Sequence, residues 1–114
     1  MSFLFDLHCH TREHSADASV GAADIVSTLR EKGFAGVVFT DHEYVWPAEE
    51  LEELRKDSGV GGAFVLLSGQ EVRLMREGVT VGDVLVYGAS RNFQDGSSPE
   101  EVFGHLREVA GFAL

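Results

Sequence analysis

The chain has one cysteine and no apolar run long enough to cross a membrane. A single cysteine cannot form an internal disulfide, and sparse cysteine is typical of a reducing compartment, so we expect a cytoplasmic protein. A membrane-spanning helix requires about 20 consecutive apolar residues, and we therefore expect no membrane partner. A length of 114 residues leaves room for one small domain.

Positive charge is also scarce, since 9 Lys and Arg residues stand against 19 Asp and Glu residues, for a net charge of −10. Non-specific binding to nucleic acid depends on Lys and Arg side chains that neutralise phosphates. Nucleic acid is therefore the less favoured partner. An acidic protein can still bind anionic substrates where bound cations supply the local positive charge.

Apolar runs alternate with amphipathic segments along the chain. Predicted strands lie at 3–7, 37–39, 63–67 and 84–87, a predicted hairpin joins 71–74 to 79–81, and predicted helices lie at 21–32, 48–56 and 99–110. Ser19 and Ser98 are the predicted N-caps of the first and last helices. This alternation indicates βαβ units in an α/β fold with a mostly parallel sheet or barrel.

His8 and His10 lie two residues apart at the end of the first predicted strand, so their side chains project to one face. These two residues alone are equally compatible with a metal site and with a solvated strand end. Cys9 points to the opposite face, where it cannot readily form a Cys–His nucleophile pair. We predict that Cys9 is a small core residue.

Further metal-ligand types follow two other predicted strands. Asp41 and His42 come after the run at 37–39, and Glu71 comes after the run at 63–67. The carboxyl ends of parallel strands meet where α/β folds place their sites. Such a mixed nitrogen and oxygen set suits Zn, Mn or Fe. The predicted ligands are His8, His10, His42 and Glu71, with Asp17 or Asp41.

Other polar residues remain open from the sequence. His14 could reach a metal or lie in solvent, and Asp83 is expected at the opposite end of the sheet because it precedes a predicted strand. Arg73 and Arg76 could bind a phosphate or be solvated surface residues. The acidic residues at 49–53 are expected to form a solvated helix face.

Three motifs, D-L-H-C-H-T (6–11) with Ser15-x-Asp17, T-D-H (40–42) and S-G-Q-E (68–71), resemble in order and spacing those of the PHP (polymerase and histidinol phosphatase) superfamily of metal-dependent phosphoesterases. The resemblance implies that His8 and His10 bind one metal, that Glu71 bridges two, and that His42 and Asp17 face a further metal. It implies two or three Zn, Mn or Fe ions, catalytic roles for His42 and Glu71, and a distorted (β/α) barrel with its site at the carboxyl ends of the strands.

The family's later motifs, a His-Pro and a final Asp-x-His, do not follow in this chain. We therefore expect residues 1–114 to form about the N-terminal half of the barrel, apparently truncated at the C-terminus. The exposed sheet edges would be covered by the missing C-terminal half or in an oligomer. The expected function is hydrolysis of a phosphate-ester small molecule or a short nucleotide. The alternative is a non-catalytic metal-binding half-domain that acts in assembly with another chain or segment.

Overall fold

The structure, a computed structural model, describes residues 2–114, in which strands and helices alternate as expected for an α/β protein. The strands are β1 (Phe5–Cys9), β2 (Gly36–Phe39), β3 (Val65–Ser68), β4 (Gln70–Arg76), β5 (Val79–Tyr87) and β6 (Phe112–Ala113); the helices are α1 (Ala22–Glu31), α2 (Ala48–Ser58) and α3 (Pro99–Val109). Within these residues, none of the helices is long and apolar enough to cross a membrane.

The first sheet is parallel, in the order β1-β2-β3, with the apolar strand β2 at its centre. Gly36 pairs with Phe5 on one side and Val65 on the other, and a Cβ added there would lie 2.6 Å from the carbonyl oxygen of Val65. Glycine is therefore required for the close approach of the strands. Helices α1 and α2 cover this sheet. The buried residues of this core are Ala22, Val26, Val37, Phe39, Trp46, Leu54, Val60, Phe64 and Leu66.

The second sheet is antiparallel, in the order β4-β5-β6. It contains the predicted hairpin, but the segments at 84–87 and 112–113 also pair antiparallel, so the expectation of a mostly parallel sheet is wrong there. The run at 84–87 is not a separate strand but the second half of β5. Gly82 and Asp83 look like a break in the sequence, yet they pair with Leu74 and Arg73 and continue the ladder. The hairpin turn is Glu77–Gly78, and both residues have positive φ, as a type I′ turn requires.

Helix ends follow the sequence rules in one place and depart from them in another. The side chain of Ser98 accepts a hydrogen bond from the amide of Glu101 at 3.1 Å, which confirms Ser98 as the N-cap of α3. Ser19 does not cap α1, whose N-cap is Gly21. The first free amide of α1, that of Ala22, instead donates to the carboxylate of Glu13 at 3.1 Å. A distant carboxylate thus replaces the local hydroxyl.

An apolar face lies between the two sheets. The hydroxyl of Tyr87 donates to the carbonyl of Leu7 at 2.6 Å and connects β5 to β1. Beside this bond is a cavity of about 430 Å³, lined largely by apolar side chains. Exposed large apolar residues at this cavity are Leu7, Leu67, Phe112 and Leu114. The molecule is thus a mixed α/β structure of two three-stranded sheets with apolar surface between them.

Candidate metal centre

Elements that are distant in sequence bring their candidate metal ligands together at the carboxyl ends of the strands of the first sheet. His8 lies in β1, His10 directly follows that strand, and His42 follows β2. Glu71, the second residue of β4, forms a parallel bridge with His42, and its amide donates to the carbonyl of Asp41 at 3.0 Å. Backbone pairing therefore fixes the position of Glu71 beside His42.

Gly69 allows the chain to pass from the first sheet to the second just before Glu71. A Cβ at this position would lie 2.5 Å from the carbonyl oxygen of Val86, a distance that real Cβ atoms essentially never show. The amide of Gly69 also donates to the carbonyl of Phe39 at 2.8 Å. Sterics therefore require glycine at this position of the S-G-Q-E motif. Its close packing places Glu71 where the chain crosses between the sheets.

The carboxylate of Glu71 lies among three imidazole rings. Its Oε1 is 3.0 Å from Nε2 of His8, and its Oε2 is 3.3 Å from Nε2 of His10 and 3.1 Å from Nε2 of His42. Neighbouring ring centroids are 5.3 Å apart for His8 and His10 and 4.6 Å apart for His10 and His42. Each oxygen of one carboxylate therefore faces at least one imidazole nitrogen.

Asp17 approaches the same rings from the loop that follows β1. Its two carboxylate oxygens lie 3.4 Å from Nδ1 of His10 and 3.4 Å from Nε2 of His42. The pKa of Asp17 lies below its usual value: desolvation, the largest influence, raises it, but the charges of His10 and His42 with the accompanying hydrogen bonds lower it by more. We call His8, His10, Asp17, His42 and Glu71 the strand-end cluster.

The spacing of the strand-end cluster fits a bound metal. Two ligand atoms bound to one zinc at about 2.0–2.1 Å in tetrahedral geometry lie roughly 3.3 Å apart. The contacts above span 3.0 to 3.4 Å. Moreover, Nε2 of His10 is buried, and its 3.3 Å contact with Glu71 is not a hydrogen bond, so this nitrogen has no hydrogen-bond partner among the described residues. The ligand atoms form two overlapping groups, one of His8, His10 and Glu71 and the other of His10, Asp17 and His42.

Asp41, the alternative to Asp17 in the sequence prediction, has no lone pair left for a metal. One oxygen accepts from the amide of Thr11 and the hydroxyl of Ser15, both at 2.6 Å. The other accepts from the hydroxyl of Thr11 and the indole of Trp46, both at 2.8 Å. The residue is completely buried. Sequence reasoning missed this network because two of its three donor residues, Thr11 and Ser15, lie 30 and 26 residues away along the chain.

His14 occupies neither of the two positions open to it from the sequence. Its ring stacks on Tyr44 with the centroids 3.7 Å apart, and its Nε2 lies 2.5 Å from the carboxylate of Glu50. The hydroxyl of Tyr44 donates to the same carboxylate at 3.0 Å. The pKa of Tyr44 is raised, first by desolvation and then by this hydrogen bond. The expectation of a fully solvated acidic face on α2 is therefore wrong at Glu50.

Arg73 and Asp83 lie beside the strand-end cluster. Because β5 runs antiparallel to β4, Asp83 returns to a position opposite Arg73, and its expected placement at the far end of the sheet is wrong. Nε of Arg73 donates to Asp83 at 2.9 Å, and this hydrogen bond raises the pKa of Arg73. A cavity of about 310 Å³ is lined by Arg73, Asp17, His42 and Asp95. Arg76 lies elsewhere, paired with Glu100.

A family model described as the PHP domain matches residues 6–102. The chain belongs to the PHP domain family. An uncharacterized protein of Methanocaldococcus jannaschii is 25% identical over 118 residues, which cover 96% of this chain and 64% of that protein. A PolC-type DNA polymerase III of Pediococcus pentosaceus is 32% identical over 77 residues, covering 68% of this chain and 5% of the polymerase.

Among solved structures, a putative metal-dependent phosphoesterase of Bifidobacterium adolescentis is similar to this PHP domain, with a TM-score of 0.57 and 28% identity. The match covers 79% of this chain and 30% of the crystallised chain. The PHP domain described here therefore spans only part of the length of each of these three proteins. The recognition of the family from the three sequence motifs is confirmed.

Proposed function

We propose that this PHP domain binds two or three divalent cations, Zn, Mn or Fe, at the strand-end cluster and hydrolyses phosphate esters. The observation that carries the proposal is the Glu71 carboxylate, which lies within 3.3 Å of imidazole nitrogens from three histidines. A ligand shared between two cations would have a chemical reason to lie among three imidazoles.

In this proposal His8 and His10 bind one cation, and His42 and Asp17 bind a second. Glu71 bridges them, since its two oxygens face different histidines. A neutral imidazole has one lone pair for a metal, so His10 would use Nε2 and donate from Nδ1 to Asp17, which lies 3.4 Å away. A hydrogen bond of this kind orients a metal-bound histidine.

Bound divalent cations would supply a nucleophilic water at neutral pH and neutralise charge on the transferred phosphoryl group. The protein residues have other tasks. His42 could either bind a cation or donate a proton to the leaving oxygen, and the 3.1 Å separation of its Nε2 from Glu71 favours the ligand role. Arg73 keeps its charge, and Asp83 accepts hydrogen bonds from two of its three nitrogens, Nε and Nη2. The third, Nη1, could contact an anionic substrate.

The substrate class proposed is a phosphate-ester small molecule or a short nucleotide. The net charge of −10 disfavours binding of extended nucleic acid. The similarity to a DNA polymerase supports including a short nucleotide among the proposed substrates. We propose that the two sheets form about half of a distorted (β/α) barrel, and that the protein works in the cytoplasm.

Metal analysis of the purified protein, followed by hydrolysis assays with p-nitrophenyl phosphate and a dinucleotide, tests the function. We expect bound metal and a metal-dependent rate that His10→Ala and Glu71→Ala abolish. His105→Ala is the matched control, because His105 bonds to Ser90 and lies outside the strand-end cluster. Equal rates for wild type and both cluster variants would refute catalysis at this site.

A second candidate function is metal-dependent assembly without catalysis. The exposed apolar face at Leu7, Leu67, Phe112 and Leu114 favours it, because surface of this kind is usually covered by a partner. Solution mass by light scattering distinguishes the two proposals. A metal-binding monomer that turns over phosphate esters would exclude assembly as the principal function, whereas a metal-binding oligomer without turnover would support it.

A further inference from the structure

We infer that Asp41 is a positioning residue for the strand-end cluster. It binds no metal itself but holds the turn at 11–15, so that His10 and Asp17 on either side of the turn lie close to His42. The inference rests on the proposed function, because the residues that it positions are the proposed ligands. The observation behind it differs from the one behind the proposed function: four hydrogen bonds saturate the completely buried carboxylate of Asp41.

The bonded groups lie at the points where the turn has to be held. Thr11 directly follows His10, and Ser15 lies two residues before Asp17; the amide of Ser15 also donates to the carbonyl of Thr11 at 2.9 Å. The hydroxyl of Ser15 accepts from the amide of His42 at 3.3 Å while it donates to Asp41. The carboxylate therefore joins the loop ligands to the strand-end ligand through hydrogen bonds alone.

The polarity of the network requires a carboxylate and rejects its isostere. An asparagine amide nitrogen in place of the first oxygen would face the amide of Thr11, which cannot accept. In place of the second oxygen it would face the indole nitrogen of Trp46, which also cannot accept. The hydroxyls of Thr11 and Ser15 could reverse their direction, but either orientation of the asparagine leaves two N–H groups without an acceptor, one of the asparagine itself and the amide of Thr11 or the indole of Trp46 that faces it.

This asymmetry predicts a rescue. Trp46→Phe removes the indole donor and keeps an aromatic ring in place of the one that stacks on Phe39 with the centroids 5.1 Å apart. In the double variant Asp41→Asn/Trp46→Phe, the amide nitrogen can occupy the second position and donate to the hydroxyl of Thr11. The second N–H of the asparagine amide then lacks an acceptor, but no donor faces another donor, and one N–H group rather than two is left unpaired. The double variant should therefore hold the turn better than Asp41→Asn alone.

The test is zinc affinity, measured by competition with a chromophoric chelator, and amide hydrogen exchange at 11–15 without metal. Loss of an outer partner of metal ligands typically costs about 10–100-fold in metal affinity, and we expect Asp41→Asn to show a loss in this range with faster exchange in the turn. The double variant should recover part of both. Leu54→Ala, which weakens the same core without removing a donor to Asp41, should lower stability but leave zinc affinity unchanged.

Zinc affinity equal to wild type in Asp41→Asn, or no recovery in the double variant, would overturn the inference while the proposed function stood. Wild-type protein that binds zinc but hydrolyses no phosphate ester would remove catalysis and leave the positioning role intact. The two failures are therefore distinguishable in the same set of proteins.

Discussion

Zinc binding at the strand-end cluster should stabilise the fold. Because the chain is short, its entropy of unfolding is small, and the resulting rise in the midpoint of thermal unfolding should be large enough to measure. At a free metal concentration 100 times the dissociation constant, ligand binding to the native state adds about 2.7 kcal/mol to the free energy of unfolding. The entropy of unfolding is about 2.1 cal/mol/K per residue, which gives roughly 240 cal/mol/K for 114 residues. The midpoint of thermal unfolding should therefore rise by about 11 °C.

The same arithmetic sets the expectation for a damaged site. If His10→Gln or Glu71→Gln weakens zinc affinity about 100-fold, the same free zinc only equals the new dissociation constant. The stabilisation then falls to about 0.4 kcal/mol and the shift to about 2 °C. His14→Gln should keep the full shift, because His14 bonds to Glu50 and lies outside the strand-end cluster.

Thermal unfolding followed by far-UV circular dichroism, with zinc and then with excess EDTA, measures these shifts. His105→Gln controls for adventitious binding to a surface histidine. An equal zinc shift in wild type, His10→Gln and Glu71→Gln would refute the reasoning, because the stabilising zinc would then bind elsewhere. Loss of the shift in His14→Gln alone would refute the observed geometry of the loop after β1.

Three further predictions concern single positions. Desolvation and the nearby charges of Asp6 and Asp41 raise the pKa of Cys9 to about 12. Native protein at pH 8 should therefore hold about a thousandfold less thiolate than a free thiol. Its reaction with Ellman's reagent should be slow until the protein unfolds, and fast reaction in the native state would contradict this. Gly69→Ala should lower the free energy of unfolding by about 1–3 kcal/mol, measured by urea titration, because its Cβ meets the backbone of Val86 at 2.5 Å; unchanged stability would contradict the close approach. Arg73→Gln should raise KM for phosphate esters about tenfold or more. Arg76→Gln should leave KM unchanged, because Arg76 pairs with Glu100 away from the strand-end cluster. Equal KM values for the two variants would exclude substrate contact by Arg73.

The parts of the fold that the sequence predicts well are those with a local signal. The continuous apolar run of β2 marks a buried central strand, and it is buried throughout. Ser98 followed by Pro99 is a helix start, and α3 begins there. Cys9 packs against the first core, as its alternation with His8 and His10 indicates.

The errors come from partners that lie far away along the chain. The amide at the start of α1 uses Glu13 rather than the nearby Ser19. The segment at 79–87 contains a glycine and an aspartate that look like a break, but cross-strand pairing with β4 overrides local propensity. The sequence leaves the placement of His14, at a metal or in solvent, undecided because its partners Tyr44 and Glu50 lie about 30 residues or more away along the chain.

For the candidate site, residue types at strand ends identify which side chains can meet, but not what each of them does. Asp17 and Asp41 are equivalent choices in the sequence, since both are acidic and both accompany a histidine motif. The structure separates them through hydrogen-bond capacity: four donors saturate Asp41, whereas Asp17 faces two imidazoles and remains largely exposed. In the proposed site, acceptor capacity rather than proximity distinguishes the ligand Asp17 from the positioning residue Asp41.

Charge then determines the order in which the site can act. Without cations the strand-end cluster carries two carboxylates, Asp17 and Glu71, and the neighbouring ion pair of Arg73 with Asp83 adds no net charge. With its imidazoles neutral, the strand-end cluster alone has a formal charge of −2, in a protein whose total charge is −10. Two divalent cations contribute +4 and change the site to +2. Because that reversal favours an anionic substrate, we expect the substrate to bind more tightly to the metal-loaded site than to the metal-free site. The acidic composition that disfavours nucleic acid is therefore compatible with phosphate-ester chemistry.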